Sequence, residues 1–255
     1  MNDVTSFDFS SFDGERIKIY EMGSKDETAH PVILLHGLFS NAEVNWIKFG
    51  HAAKLAEAGF RVIMPDLRAH SSSSKSHDPA SYPEDVLAMD IEALIDHFAF
   101  DAYDLCGFSM GARTAAKLLV RGAKPRKAVL AGMGLEGLTG WNQRQNFFLD
   151  AIAKKETAKR GDPHWMAIQF MKTMKVDTVA VAYLLKTLSN SNPEALADID
   201  IETLILCGAD DQDNGNAPKL AQWMINAKYV EIPGTHMSSV TMPELGDALL
   251  AFLSA

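Results

Sequence analysis

Two cysteines, no apolar run as long as a membrane span and no block of basic residues mark this 255-residue chain. Cys106 and Cys207 each end an apolar run just before a glycine, so both are expected inside buried strands as small hydrophobes. A disulfide framework is not expected, and two thiols without histidines at ligand spacing speak against structural zinc. No apolar run approaches about 18 residues, and the start Met1-Asn2-Asp3-Val4 lacks the basic residues and apolar centre of a secretory signal. The expected location is therefore the cytoplasm, without membrane insertion. Lys and Arg number 24 against 33 Asp and Glu, a formal net charge of −9. That charge repels phosphate backbones and anionic headgroups, so nucleic acid is not an expected partner. Repeats and low-complexity tracts are missing too; Ser71 to Ser74 reads as a polar loop.

What is present is an ordinary globular balance, 47% hydrophobic and 22% charged residues. The length suits one α/β domain with a small insertion, and leaves a homodimer open. Short β-type runs occur at Ile17–Tyr20, Val32–Leu35, Arg61–Met64, Tyr103–Cys106, Ala128–Leu130, Leu204–Cys207 and Tyr229–Ile232. From the second onward most are apolar without alternation, as in parallel strands covered on both faces. Helical patterns lie between them: His51–Ala58, Pro83–Phe98, Met110–Val120, Ala217–Ile225 and Pro243–Leu253. This alternation implies a doubly wound sheet. Between Met133 and Asp198 no strand pattern appears, only candidate helices over Asn142–Lys159, Trp165–Met174 and Thr178–Leu188. The expected division is a core of residues 1–132 and 199–255 with a helical cap at 133–198.

The chemistry centres on Gly107-Phe108-Ser109-Met110-Gly111, which falls between a strand and a helix. There a serine occupies a strained turn, and the residues two before and two after it must be small to clear neighbouring backbone. Serine needs a base to accept its proton and a third group to hold that base. His164 and His236 are the two histidines that follow Ser109. His236 follows the last strand, in Ile232-Pro233-Gly234-Thr235-His236, which brings it to the strand ends where the elbow sits. The acid should end the preceding strand, where Gly208-Ala209-Asp210-Asp211 offers two adjacent candidates and Asp213 a third. An oxyanion hole needs two preorganised N–H groups: Met110 follows the nucleophile, and Leu35-His36-Gly37-Leu38-Phe39 should supply the other from Leu38, with Phe39 in reserve. His36 precedes the serine and is expected to support this loop.

With these motifs the chain resembles the α/β-hydrolase superfamily, particularly its small esterase and proline-iminopeptidase-like branch. Leu35-His36-Gly37, Pro65-Asp66-Leu67-Arg68, the Gly-x-Ser-x-Gly elbow, Gly208-Ala209-Asp210-Asp211 and Gly234-Thr235-His236 carry the likeness across nearly the whole chain. The resemblance implies an α/β fold with a doubly wound, mostly parallel eight-stranded sheet and an inserted helical cap, with no metal and no organic cofactor. In similar proteins the acid lies three residues after the strand-ending glycine, which selects Asp211 and a catalytic set of Ser109, Asp211 and His236. Asp66 and Arg68 are then structural. Where relatives continue Gly-x-Gly-x-Ser after that arginine, this chain has Ala69-His70-Ser71-Ser72-Ser73. The serine at 109 excludes the haloalkane dehalogenase and epoxide hydrolase branches, which use an aspartate nucleophile.

Trp141, Phe147, Phe148, Ile152, Trp165, Met166, Phe170, Met171, Met174 and Tyr183 in the cap region predict an apolar pocket wall. Phe39, Phe147 and Trp165 are the candidate substrate contacts. Arg144, Lys172 and Lys175 suit an acidic substrate or a solvated helix face equally well. The expected function is a serine carboxylesterase that cleaves small to medium apolar or aryl esters through an acyl-enzyme. The alternatives are a carbon–carbon bond hydrolase or acyltransferase with the same triad, and a ligand receptor of slow turnover.

Overall fold

The computed structural model describes residues 3–26 and 28–255. Four strands form its centre: β3 (Pro31–Leu35), β4 (Arg61–Pro65), β5 (Asp104–Phe108) and β6 (Lys127–Ala131), all but one of whose residues are buried. With β1 (Thr5–Ser10), β2 (Arg16–Met22), β7 (Glu202–Gly208) and β8 (Ala227–Ile232) they make one eight-stranded sheet of order β1-β2-β4-β3-β5-β6-β7-β8. β2 pairs antiparallel with both β1 and β4, and the other neighbouring strands pair parallel. This is the doubly wound, mostly parallel sheet expected. β1 was not foreseen: it is an edge strand whose only two apolar side chains, Phe7 and Phe9, alternate inward, too few to stand out from a loop.

Alternate residues of each central strand feed different layers. Ile33, Leu35, Ile63 and Leu105 face one apolar cluster, whereas Val32, Leu34, Val62 and Cys106 face the other. Helices α1 (His51–Glu57) and α11 (Pro243–Ser254) cover the second face. Helices α2 (Val86–Phe98) and α3 (Met110–Val120) cover the first, and α9 (Ala217–Trp223) packs on β7 and β8. The start of α2 lies three residues later than the Pro83 pattern suggests. Asp85 takes a left-handed φ of 56° and ties its side chain to Ser189 Oγ and Lys117 Nζ instead of continuing a helix.

Between β6 and β7 come α4 (Leu135–Thr139), α5 (Trp141–Ala153), α6 (Trp165–Thr173), α7 (Thr178–Thr187) and α8 (Pro193–Ala197). The short α4 and α8 escaped the periodicity, and α5 stops at Ala153, not Lys159. Ala151, Ile168, Met171, Leu184 and Leu185 belong to the same apolar cluster as the sheet's first face, so these helices have no core of their own. Cys106 and Cys207 are free buried thiols on β5 and β7, with β6 between them. Among the described residues no helix is long and apolar enough to cross a membrane.

Candidate active site

At the end of β5 the chain turns into α3 through Ser109, whose φ of 55° and ψ of −111° lie in a region that costs a non-glycine residue about 1–3 kcal/mol. The turn is fixed by its surroundings. Ser109 N–H donates to Ala131 O at 2.8 Å. A Cβ on Gly107 would stand 2.2 Å from Gly111 C, and one on Gly111 2.1 Å from Leu35 O. Both are impossible contacts with backbone, which is why only glycine fits on either side of this serine.

Two further strand ends converge on it. His236 opens α10 (His236–Ser239), a short helix capped by Thr235 and Ser238 through Thr235 N–H to Ser238 Oγ at 2.8 Å and Ser238 N–H to Thr235 Oγ1 at 3.3 Å. His236 Nε2 lies 2.9 Å from Ser109 Oγ, and its Nδ1 lies 2.8 Å from Asp211 Oδ2. With Nδ1–H donating to the carboxylate, the Nε2 lone pair faces the serine hydroxyl. Asp211 Oδ1 accepts the Asp213 N–H at 3.0 Å. Burial pushes the Asp211 carboxyl up, but the hydrogen bond and charge of His236 together with the Asp213 N–H bring it below the ordinary carboxylate range. Asp210 is exposed, with its N–H on Gly234 O at 3.0 Å.

The loop after β3 is held from both sides by histidines. His36 Nδ1–H donates to Gly37 O at 2.8 Å while its Nε2 accepts Leu67 N–H at 2.9 Å. His70 Nδ1–H donates to Arg68 O at 3.0 Å, and its Nε2 accepts Phe39 N–H at 3.1 Å. Burial drives both far below the usual histidine range, His36 to about 4 and His70, next to His36, to about 3. They are neutral struts. Gly37 N–H goes to Asn45 Oδ1 at 3.0 Å, so the amides of residues 37 and 39 are both engaged. Leu38 N–H, between them, and Met110 N–H at the first position of α3 have no acceptor among the described residues.

Asp66 and Arg68 organise the same region from below. Asp66 accepts Ala42 N–H at 2.9 Å and Ser72 N–H at 3.0 Å. Arg68, 1% exposed, pairs with Asp90 and Asp13, each at 2.6 Å. Where the resemblance leads one to expect glycines, Ala69 and Ser71 still take left-handed φ values of 68° and 42°. The loop therefore takes left-handed conformations that favour glycine without having one.

A pocket opens on Ser109. Its apolar wall is Leu38, Met110, Met133, Trp141 and Phe148; Arg113, Arg144 and Asn214 supply polar groups. Of the three candidate substrate contacts, none lines this pocket. Phe39 is buried behind Phe148, ring centres 5.4 Å apart. Phe147 is 37% exposed and stacks on His164 at 4.8 Å. Trp165 is half-buried at the start of α6. Consecutive helical residues point about 100° apart, so Phe148 faces inward and Phe147 does not. Lys172 and Lys175 are exposed, whereas Arg144 lines the pocket. Arg113 was missed, although its place four residues after Ser109 on α3 puts it on the same face as that serine. Among the described residues no three His, Cys, Asp or Glu side chains cluster as a metal site.

Residues 30–167 match the family model described as the alpha/beta hydrolase fold. The chain is 26% identical over 198 residues to the AB hydrolase superfamily protein YisY of Bacillus subtilis (strain 168), covering 77% of this chain and 59% of that protein. It is 29% identical over 136 residues to N-formylmaleamate deformylase of Pseudomonas putida (strain KT2440), covering 52% and 49%. The chain thus spans only about half to three fifths of the length of these relatives. The enol-lactonase of Burkholderia xenovorans LB400 shares the fold, with a TM-score of 0.76 at 21% identity, covering 98% of this chain and 100% of that one. From its eight-stranded sheet and the match over more than half its length, this chain belongs to the α/β hydrolase fold family.

Proposed function

We propose that the protein is a serine hydrolase that cleaves small to medium carboxylic esters through an acyl-enzyme. The observation that carries this reading is the unbroken relay Ser109 Oγ, His236 Nε2, His236 Nδ1, Asp211 Oδ2, with links of 2.9 and 2.8 Å. In the proposed first step His236 takes the Ser109 proton as the oxygen attacks the ester carbonyl, and the carbonyl electrons move onto its oxygen. Leu38 N–H and Met110 N–H, without an acceptor among the described residues, are the donors for that oxyanion. The tetrahedral centre collapses, His236 gives its proton to the departing alcohol, and water then repeats the sequence on the acyl group. Asp211 stabilises the imidazolium and fixes its tautomer. Residues 133–198 act as the cap that closes the pocket through Trp141 and Phe148.

The test is turnover of short methyl and aryl esters by the purified protein and by Ser109→Ala. The expected loss is at least about three orders of magnitude in kcat with little change in melting temperature. Full activity in the folded variant overturns the assignment. Product analysis separates ester hydrolysis from carbon–carbon cleavage or acyl transfer by the same residues.

A further inference from the structure

Two guanidinium groups, Arg113 and Arg144, stand in the wall of the Ser109 pocket, in a chain whose formal charge is −9. Arg113 is 3% exposed. Among the described residues its donors reach only neutral acceptors, Ser189 O at 2.8 Å and Gly137 O, and its flat face lies over Trp141 at 4.8 Å. Arg144 is half-buried, donating to Asp213 O and lying over the Phe148 ring at 5.4 Å. Five of the six other arginines differ; the sixth, Arg160, is exposed and likewise has no carboxylate partner among the described residues. Arg16, Arg61, Arg68, Arg121 and Arg126 each have a carboxylate partner at 2.6–3.2 Å. Among the described residues no such pair forms at Arg113 or Arg144. Of the nearby acids, Asp85 pairs with Lys117 at 3.3 Å and Asp211 holds His236, while the exposed Asp213 acts on Arg144 through its charge without forming a salt bridge among the described residues.

Burial holds Arg113 down to about 10, and the positive charge of Arg144 adds to that; burial likewise lowers Arg144, against the pull of Asp213 and Asp211. Both remain cations at neutral pH. A buried cation without a counter-charge is unfavourable, and two like charges on one wall compound the cost. An anion bound between them relieves both, and the guanidinium fork matches the two oxygens of a carboxylate. We infer that this pocket takes an ester bearing a carboxylate a few bonds from the scissile carbonyl, with Arg113 and Arg144 as its counter-charges. The inference rests on the serine-hydrolase reading and names the substrate class of that site. Leu38, Met133 and Phe148 suit the short methylene chain of a half-ester of a short dicarboxylic acid.

The test compares monomethyl succinate and monomethyl glutarate with the uncharged methyl butyrate and methyl valerate, following proton release. The expected wild-type preference for the half-esters is about 10- to 100-fold in kcat/KM, the range of a charge-assisted hydrogen bond. Arg144→Gln and Arg113→Met should each reduce that ratio about tenfold or more. Arg113→Met also loses its ties to Ser189 and Gly137; if it does not fold, the wild-type ratio and Arg144→Gln decide. Succinate should bind Ser109→Ala by calorimetry, and binding should weaken when Arg144→Gln is added. A ratio near one in the wild type, or a ratio unmoved in Arg144→Gln, overturns the inference. The serine reading fails separately, if Ser109→Ala still turns over methyl butyrate.

Discussion

Asp211 Oδ2 sits 2.8 Å from His236 Nδ1, while Asp210, one residue earlier, is exposed and engages Gly234 O through its backbone N–H. Adjacent side chains at a strand end diverge, so one of the pair meets the imidazole and the other meets solvent. Asp211→Asn keeps the shape but favours the wrong histidine tautomer, a change that costs about 10⁴ in the serine-protease case. The expected loss here is about 10² to 10⁴ in kcat, against less than about tenfold for Asp210→Asn. Measuring kcat and melting temperature for both variants checks this; a dead, folded Asp210→Asn beside an active Asp211→Asn reverses the assignment.

His36 and His70 make stability pH-dependent in a definite direction. Their folded pKa values, about 4 and about 3, lie below the ordinary 6.5, so both bind protons more readily when unfolded. Their contribution is complete above pH ~6.5 and is lost as pH falls towards ~4, at about 1.4 kcal/mol per pH unit for each. Urea unfolding between pH 7 and 4.5 should show this slope. His70→Gln can keep an acceptor for Phe39 N–H but does not titrate, and should flatten the slope by about one proton. An unchanged slope contradicts the prediction.

Arg68 is a structural cation. Asp90 is nearly fully buried against it, and burial pushes its carboxyl up in spite of the guanidinium. Arg68→Met leaves that carboxyl buried without its partner, at an expected cost of about 3–5 kcal/mol. Denaturant titration reads the loss, with kcat per folded molecule largely retained below the new melting temperature. A loss under about 1 kcal/mol contradicts it.

Phe148 lines the pocket and Phe147 does not. Phe148→Ala should therefore change the ratio of kcat/KM between long and short acyl chains about tenfold or more, Phe147→Ala by less than about threefold. Equal effects of the two variants contradict this division.

The legible parts of the molecule were those where chemistry demands one residue type. Gly107 and Gly111 flank Ser109 because backbone atoms within about 2.2 Å of an added Cβ admit nothing larger, and that demand shows directly in sequence. The doubly wound order was legible for a similar reason, since central strands buried on both faces must be apolar throughout. Asp211 needed the family spacing, because two neighbouring aspartates look alike until the turn directs them. The choice of Leu38 over Phe39 as the free amide depends on His70, a partner 31 residues from Phe39. β1 was hidden because an edge strand with two inward phenylalanines has almost no pattern. The pocket wall was least legible: Phe147 and Phe148 differ only in helical phase, and Arg113 looks like any surface cation until Trp141, Gly137 and Ser189 enclose it.

The most direct measurement is covalent labelling of the wild-type protein with a fluorophosphonate, read by intact mass and peptide mapping while ester turnover is followed in the same sample. One adduct per chain, mapped to Ser109 and rising in step with the loss of turnover, is the expected result, with no adduct in Ser109→Ala. Undiminished turnover at full labelling, or an adduct that maps elsewhere and abolishes activity, contradicts Ser109 as the nucleophile.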